Sequence, residues 1–169
     1  GIQTDLSIAP KWYARVGYNF STINNDTNFL DTRSFFYSRN NSSIIGSHNL
    51  LGRVSYTPNH IFNFQGGLDR NFIGEGNRSL FLSDYGKPYP FAQMSARFWH
   101  VEYLVMCQFF KEELNENWRN KFGATHYLSW NTTKWLNFGI FETVVFQPKD
   151  TLLNRGYELE YLNPVIFYR

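Results

Sequence analysis

The chain has few of the features that identify a catalytic or nucleic-acid-binding protein. It contains one cysteine, Cys107, in 169 residues, so no internal disulfide can form. The cysteine content therefore does not indicate whether the protein lies in an oxidising or a reducing compartment. This thiol lies in the apolar run VEYLVMCQFF and lacks the electropositive setting that activates a nucleophile. The net charge is only +2, and Lys and Arg are scattered singly along the chain. We therefore expect no nucleic-acid partner.

Long apolar runs and a leader pattern are also absent. No stretch reaches the roughly 18–20 apolar residues that a membrane-spanning helix needs. The first residues, GIQTDLSIAP, lack the basic, apolar and small-residue order of a signal peptide. The last residues, YLNPVIFYR, end within an apolar, aromatic stretch. We expect an internal or processed N-terminus, and a chain that is a fragment or has been trimmed.

The glycine-containing stretch NFIGEGNRSLFLSDYGKPYPF, residues 71–91, does not fit either common nucleotide-binding motif. A P-loop needs Gly-Lys followed by Ser or Thr, whereas residues 86–88 read Gly-Lys-Pro, and no glycine stands five residues before them. In the Rossmann pattern the third glycine position is Ser79. We expect Gly74 and Gly76 to permit tight backbone turns instead of holding a phosphate.

Catalytic and metal-binding patterns are equally sparse. The four histidines are isolated, and no G-x-S-x-G nucleophile elbow occurs. Glu158 and Glu160 alternate with Tyr157, Leu159 and Tyr161, so in a strand they would point the same way about 7 Å apart. A glycosidase needs its two carboxylates on opposite sides of the scissile bond. We expect no metal, no cofactor and no catalytic step, although Glu75, Asp84 and Glu142 could converge in a glycoside hydrolase.

The abundant features are aromatic residues, 20% of the chain, and alternation with a period of two. Between Lys11 and Thr22 the even positions carry Trp, Ala, Val, Tyr and Phe, while the odd positions are mostly polar. The runs are about ten residues long, which exceeds the typical soluble strand and matches a tilted strand crossing a bilayer. Similar runs occur at residues 48–57, 60–70, 91–98, 101–110, 120–131 and 134–146, with a weaker candidate at 30–39.

With a tight turn near Trp99-His100, long and short connections alternate along the latter two-thirds of the chain. We predict tight turns at residues 56–59 and 131–134, and a third at Trp99-His100, where one long strand through 91–110 is the alternative. This asymmetry is typical of outer-membrane barrels. Longer connections, rich in Asn, Ser, Asp and Gly, are predicted at residues 23–29, 40–47, 71–90, 111–121 and 147–156.

These patterns together predict an all-β, antiparallel transmembrane β-barrel of the outer-membrane type, with residues 1–169 forming a single barrel domain or a contiguous part of one. In such a barrel the outward face is apolar, the lumen is polar, and aromatic residues gather at the two interfaces. A soluble β-sandwich or barrel with an aromatic core would show the same alternation.

Three phrases carry a resemblance to a known family: FIGEGNRSLFLSD followed by PYPF, HYLSWNTTKWLNFGIFETVVF, and GYELEYLNPVIFYR. They resemble the capsule-assembly (Wzi-like) outer-membrane β-barrels, including gliding-motility-associated RemB-type proteins. The resemblance spans residues 60–169, while residues 1–59 match in strand pattern only. It implies a large barrel in the outer membrane of a Gram-negative bacterium, acting in surface (capsular) polysaccharide assembly or attachment, or in gliding motility, without an enzymatic step.

The partners implied are outer-membrane lipid and a surface polysaccharide, and other envelope proteins if the barrel is a structural subunit of a larger complex. The main alternative is a soluble carbohydrate-active β-protein, either glycan-binding or a glycoside hydrolase. Sugars are held by aromatic faces and by charged or amide groups, which the 71–90 loop supplies. Arg70, Arg78 and Lys87 would suit an acidic polymer, or Arg78 would pair with Asp84 and pin the loop. The candidate polysaccharide-binding or lumen-lining residues are Arg70, Arg78, Asp84, Tyr85, Lys87, Tyr89, Glu158 and Glu160.

Overall fold

The computed structural model describes residues 2–24, 36–39, 44–74, 81–84, 86–114, 117–147 and 159–163. Among these residues the chain forms nine β-strands and one 3₁₀ helix at Leu159–Leu162. The strands are β1 (Ile2–Ala9), β2 (Trp12–Asn24), β3 (Phe36–Arg39), β4 (Ile44–Tyr56), β5 (Phe62–Asp69), β6 (Tyr89–Phe98), β7 (Val101–Leu114), β8 (Asn117–Thr133) and β9 (Leu136–Phe146).

All of these strands belong to one sheet. Hydrogen-bonded neighbours follow the order β1-β2-β4-β5-β6-β7-β8-β9, and β3 pairs with β4. The pairs whose register is defined are all antiparallel. The predicted all-β antiparallel fold is therefore confirmed. No helix within the described residues has the length and apolar character needed to cross a membrane.

The chain divides into two compact units. The first consists of Gly1–Ser55 with Gly67–Tyr89, and the second of Tyr56–Gly66 with Pro90–Arg169. The first unit contains β1 to β3 and most of β4, and the second contains β7 to β9 and most of β6. That residues 1–169 form one barrel domain, or part of one, stays a prediction.

The tight turn predicted at Trp99-His100 is confirmed. β6 and β7 pair up to Phe98↔Val101, which leaves two residues in the turn. Trp99 has a φ of 53°, a left-handed conformation that a two-residue hairpin turn commonly requires. The alternative of one long strand through this region is therefore wrong.

The turn after β8 and the connection before it differ from the prediction. β8 continues to Thr133 through a register shift after Asn131, so the turn falls at residues 134–135 instead of 131–134. The long loop predicted at 111–121 is wrong, because β7 runs to Leu114 and β8 starts at Asn117. A polar composition suggested a loop there, but the backbone ladder continues regardless of side-chain polarity once its register is set.

Two other elements also differ from the prediction. β4 starts at Ile44, which shortens the connection predicted at 40–47, and β1 was not predicted. The predicted connections at 23–29 and 147–156 lie almost entirely outside the described residues, as does most of the weak strand candidate at 30–39.

In the second unit, strand register separates two sheet faces with opposite character. One face, which we call the inner face, carries Gln108, Thr125 and Met106, all with no exposed surface. The opposite face, which we call the outer face, carries exposed large apolar side chains, among them Phe138 at 53% and Ile140 at 46% exposure. A water-soluble sheet normally buries its apolar face and exposes its polar one.

The first unit shows the same division along β1 and β2. Ile2 pairs with Tyr18 on one face, and both side chains are exposed. On the other face Asp5 pairs with Arg15, and their side chains form an ion pair at 2.8 Å. The apolar face of this hairpin, which we call its outer face, is open, and the polar face, which we call its inner face, is exposed at this ion pair as well.

Candidate functional site

The inner face of the second unit is held by a buried hydrogen-bonded set of polar side chains. The Thr125 hydroxyl donates to Gln108 Oε1 at 3.1 Å, and it lies 2.8 Å from the Thr143 hydroxyl oxygen. Gly123 is needed beside them, because a Cβ there would lie 2.6 Å from Gln108 Oε1. Buried polar groups of this kind are tolerated only when they are hydrogen-bonded. The arrangement fixes a polar interior surface in place of an apolar core.

A cavity of about 350 Å³ opens among β5, β6, β7 and the turn before β5. Asn63 Nδ2 donates to the Thr57 hydroxyl at 2.7 Å, and Gln65 Nε2 donates to Asn63 Oδ1 at 2.7 Å. Arg97 and Glu102, Cα partners on β6 and β7, form a largely exposed ion pair at 2.8 Å. The full lining is Thr57, Asn59, His60, Ile61, Phe62, Asn63, Gln65, Gln93, Ser95, Arg97 and Glu102.

The geometry of this cavity depends on the turn at its edge. The Asn59 side-chain oxygen accepts hydrogen bonds from the backbone N–H groups of Ile61 and Phe62, at 3.0 and 2.8 Å. These bonds are typical of an Asx turn, which holds the chain as it enters β5. The cavity thus combines amide, hydroxyl and guanidinium groups beside an aromatic ring, which is the chemistry that binds sugars.

A second polar cluster lies in the first unit, where β4 meets the start of the 71–90 loop. Arg53 Nε donates to Asp69 Oδ2 at 3.0 Å, and Arg53 Nη2 donates to Asn71 Oδ1 at 2.7 Å and to the Arg70 carbonyl at 3.2 Å. Arg53 and Asp69 are both mostly buried. Arg53 therefore ties the entrance of the loop to β4.

Two donors in this cluster have no hydrogen-bond partner. They are Arg70 Nε and Asn71 Nδ2, both buried. Asn71 as a whole is only 3% exposed. Asp69 Oδ2 accepts from Arg53, and Asp69 Oδ1 accepts from the Arg70 backbone N–H at 2.8 Å, but neither oxygen is hydrogen-bonded to Arg70 Nε. Leaving a buried donor unsatisfied costs about 1–3 kcal/mol.

The base of the 71–90 loop is closed by backbone bonds. Ile73 N–H donates to the Leu82 carbonyl at 3.0 Å, and Leu82 N–H donates to the Ile73 carbonyl at 3.3 Å. Gly74 follows with a φ of 127°, a conformation that residues with a Cβ rarely adopt. The positive φ of Gly74 is consistent with a backbone turn, and the predicted tight turn stays a prediction because residues 75–80, Gly76 among them, lie outside the described residues.

The predicted site residues are distributed unevenly. Arg70 belongs to the cluster with Arg53. Asp84 and Lys87 are exposed, and Tyr89 is the first residue of β6. Arg78, Tyr85 and Glu158 lie outside the described residues, as does Glu75, so neither the Arg78–Asp84 pair nor a convergence of Glu75, Asp84 and Glu142 is tested.

Glu160 lies in a different element from the one predicted. The arrangement in which Glu158 and Glu160 share one face of a strand does not apply to the described residues, because these form the 3₁₀ helix Leu159–Leu162, and Glu160 is exposed on it. The local hydrogen bond from Asn163 N–H to the Glu160 carbonyl, at 3.1 Å, closes the last turn of this helix. A shared strand face for Glu158 and Glu160 does not follow from this geometry.

One polar group interrupts the outer face of the second unit. His126 and Glu142 are Cα partners on β8 and β9, and the Tyr103 hydroxyl lies 2.8 Å from His126 Nδ1. The other ring nitrogen, Nε2, lies 2.7 Å from the Tyr161 carbonyl oxygen. The Tyr161 ring packs on Phe146 with centroids 4.6 Å apart. The 3₁₀ helix thereby covers the polar group, and His126 is almost fully buried.

Sequence reasoning placed Arg53, Asn63, Gln65 and Asp69 at polar positions of their strands, but it did not identify them as parts of a cluster or a cavity. Alternation gives the face on which a side chain lies and leaves open which strands become neighbours. Among the described residues, no group of three His, Cys, Asp or Glu side chains is placed to hold a metal ion.

Comparison with family models, with curated proteins and with solved structures finds no match to this chain.

Proposed function

We propose that this chain is part of an outer-membrane β-barrel of the capsule-assembly (Wzi-like) family, which includes gliding-motility-associated RemB-type proteins. In this proposal it acts without catalysis in the assembly or attachment of a surface polysaccharide. The observation that carries the proposal is the inverted burial of the sheet. Gln108 and Thr125 are fully buried on the inner face, while Phe138 and Ile140 are exposed on the outer face.

Inverted burial has a direct physical explanation in a bilayer. Large contiguous apolar patches on a protein surface mark a contact with another protein or with lipid. A spanning sheet satisfies its backbone within the strand ladder, faces lipid with apolar side chains and faces a lumen with polar ones. β7, β8 and β9 contain 14, 17 and 11 residues, which reaches or exceeds the roughly 9–11 residues of a spanning strand.

The turn end of the second unit supports the same interpretation. Trp99 and Trp135 lie in the two-residue turns, and their side chains are 78% and 82% exposed. Phe98 and Trp130 lie next to these turns and are exposed too. Trp and Tyr side chains collect at the membrane interface because their rings combine apolar and polar parts, and Phe occurs with them in the aromatic girdles of barrels. This group is therefore a candidate for the aromatic girdle of a barrel.

The polysaccharide part of the proposal is supported by the cavity of about 350 Å³ on the inner side of β5 to β7. Its lining is dominated by amide and hydroxyl groups, with an Arg–Glu pair and Phe62. Such groups bond sugar hydroxyls without cleaving the glycan. The cavity contains a single carboxylate, Glu102, whereas a glycosidase uses a pair of them.

The membrane part is tested with single cysteines in the full-length protein. Replacing the native thiol (Cys107→Ala) allows Leu6→Cys and Ser7→Cys to be compared, two exposed neighbours on opposite faces of β1. In outer-membrane vesicles, a water-soluble maleimide is expected to label the cysteine at position 7 and to leave position 6 unlabelled. The unboiled protein should also migrate differently from the boiled protein on a gel.

A soluble protein gives a different result, since both positions then face water and label equally without detergent. The polysaccharide part is tested separately by deleting the gene and measuring the polymer that is retained on cells and shed into the medium. Increased shedding supports attachment. Unchanged polysaccharide in a strain whose protein is confirmed in the outer membrane would reject that role and favour a structural subunit.

A further inference from the structure

The cluster at the entrance of the 71–90 loop contains hydrogen-bond donors for which the chain provides no acceptor. Asp69 and Asn71 Oδ1 already accept hydrogen bonds from Arg53 or from the backbone. Arg70 Nε and Asn71 Nδ2 remain without acceptors although both atoms are buried. Donors in this state favour a ligand that brings acceptor oxygens, because the cost of their desolvation is then offset.

The charges of the cluster define the kind of acceptor. Arg53 and Asp69 form an ion pair at 3.0 Å and neutralise one another. Arg70 adds one positive charge, and within the described part of the chain no carboxylate forms an ion pair with it. The cluster therefore carries a net charge of about +1, which matches a monovalent anion. A guanidinium group and an amide N–H together suit the two oxygens of a carboxylate.

We propose that Arg70 Nε and Asn71 Nδ2 form a binding subsite for the carboxylate of an acidic sugar. The inference rests on the proposed function, in which the ligand is a surface polysaccharide, and it narrows that ligand to a polymer containing uronic acid or a similar carboxylated sugar. Arg53 acts as a positioning residue, because it holds Asn71 Oδ1 at 2.7 Å and the Arg70 carbonyl at 3.2 Å.

Binding of a galacturonate trisaccharide to the full-length protein in detergent tests the subsite, with the methyl-ester trisaccharide as the matched neutral ligand. Asn71→Asp is the decisive variant. The new carboxylate still accepts from Arg53, so the cluster keeps its internal bonds, but the Nδ2 donor is lost and a repelling charge is added. We expect affinity for galacturonate to fall at least about tenfold, the usual consequence of removing a hydrogen bond to a charged group.

Two further variants separate a shaped site from general attraction. Arg70→Lys keeps the positive charge but lacks the planar donor at Nε, so a clear loss of affinity is expected. Lys11→Gln removes an exposed charge in the turn after β1 and should leave binding unchanged. Unchanged affinity in Arg70→Lys, together with a loss of affinity in Lys11→Gln, would show attraction by net charge alone and would overturn the subsite.

The outcomes also separate this inference from the proposed function. If the protein is heat-modifiable and found in the outer membrane but binds galacturonate no better than its methyl ester, the subsite is rejected and the barrel stands. If the protein is soluble but binds galacturonate with the predicted variant effects, the carboxylate subsite is supported and the membrane role is rejected. Tight binding of inorganic phosphate in competition with galacturonate would contradict the choice of a monovalent carboxylate.

Discussion

Replacing Leu6 by Arg tests whether the outer face meets lipid or water. Leu6 is 49% exposed, and its neighbour Ser7 is exposed on the opposite face of β1. In water, a charged side chain at either position would leave the free energy of unfolding within about 0.5 kcal/mol of the parent value. In a bilayer the two positions should differ, because only the face at position 6 would be in hydrocarbon.

The size of the effect follows from the position of Leu6 in the strand. Leu6 lies four residues before Pro10 in the turn, and a strand tilted by about 40° rises by about 2.6 Å per residue along the membrane normal. This places Leu6 about 10 Å from the turn, near the middle of an apolar band about 25 Å tall. An Arg at such a depth costs about 2–4 kcal/mol.

The assay is reversible unfolding of the full-length protein in lipid vesicles, followed by fluorescence of its tryptophans. We expect Leu6→Arg to lower the free energy of unfolding by about 2–4 kcal/mol and Ser7→Arg to change it by less than about 0.5 kcal/mol. If both variants stay within about 0.5 kcal/mol of the parent, the outer face is not in hydrocarbon. The inverted burial would then need another explanation, such as a protein partner.

Three smaller predictions concern the sheet itself. Gly67→Ala should destabilise the protein by more than about 2 kcal/mol, because Gly67 has a φ of 153° and a Cβ there would overlap the Gly52 carbonyl. Gly52→Ala, where a Cβ meets nothing within 4 Å, is the control in the same unfolding assay. His126→Phe should lower the free energy of unfolding by about 1–3 kcal/mol and increase cleavage near Tyr161 by added protease, because two hydrogen bonds are lost. Unchanged resistance to the protease would show that the 3₁₀ helix does not depend on these bonds. Arg97→Gln should change stability by less than about 1 kcal/mol, because its ion pair is largely exposed; a larger loss would mean that the cavity edge is structural.

The fold was largely predictable from the sequence because alternation is a local property. Eight of the nine strands overlap a predicted run, and the two-residue turn at Trp99 follows from the strand lengths on either side. β1 was missed although Ile2 and Leu6 alternate with polar residues, because Thr4 interrupts the apolar face and the strand is only eight residues long. Polar residues at 111–121 suggested a loop, since composition does not reveal that a ladder continues.

The sites were less predictable because they depend on which strands become neighbours. Arg53 and Asn71 meet only because β4 lies beside the end of β5, and a shift of one residue in register would turn Arg53 to the other face. The cavity likewise depends on the pairing of β6 with β7 and on the turn held by Asn59. Arg70 was identified from its charge beside a loop, but the unpartnered state of its Nε is visible only in three dimensions.

The order of the strands also has a consequence for how the chain folds in time. From β4 to β9, every strand is hydrogen-bonded to the strand that follows it in sequence, and the β6–β7 and β8–β9 turns contain only two residues. Closing such short loops costs little chain entropy, and each new hairpin offers an edge on which the next strand can form. Assembly can therefore advance strand by strand, without waiting for distant parts of the chain to meet.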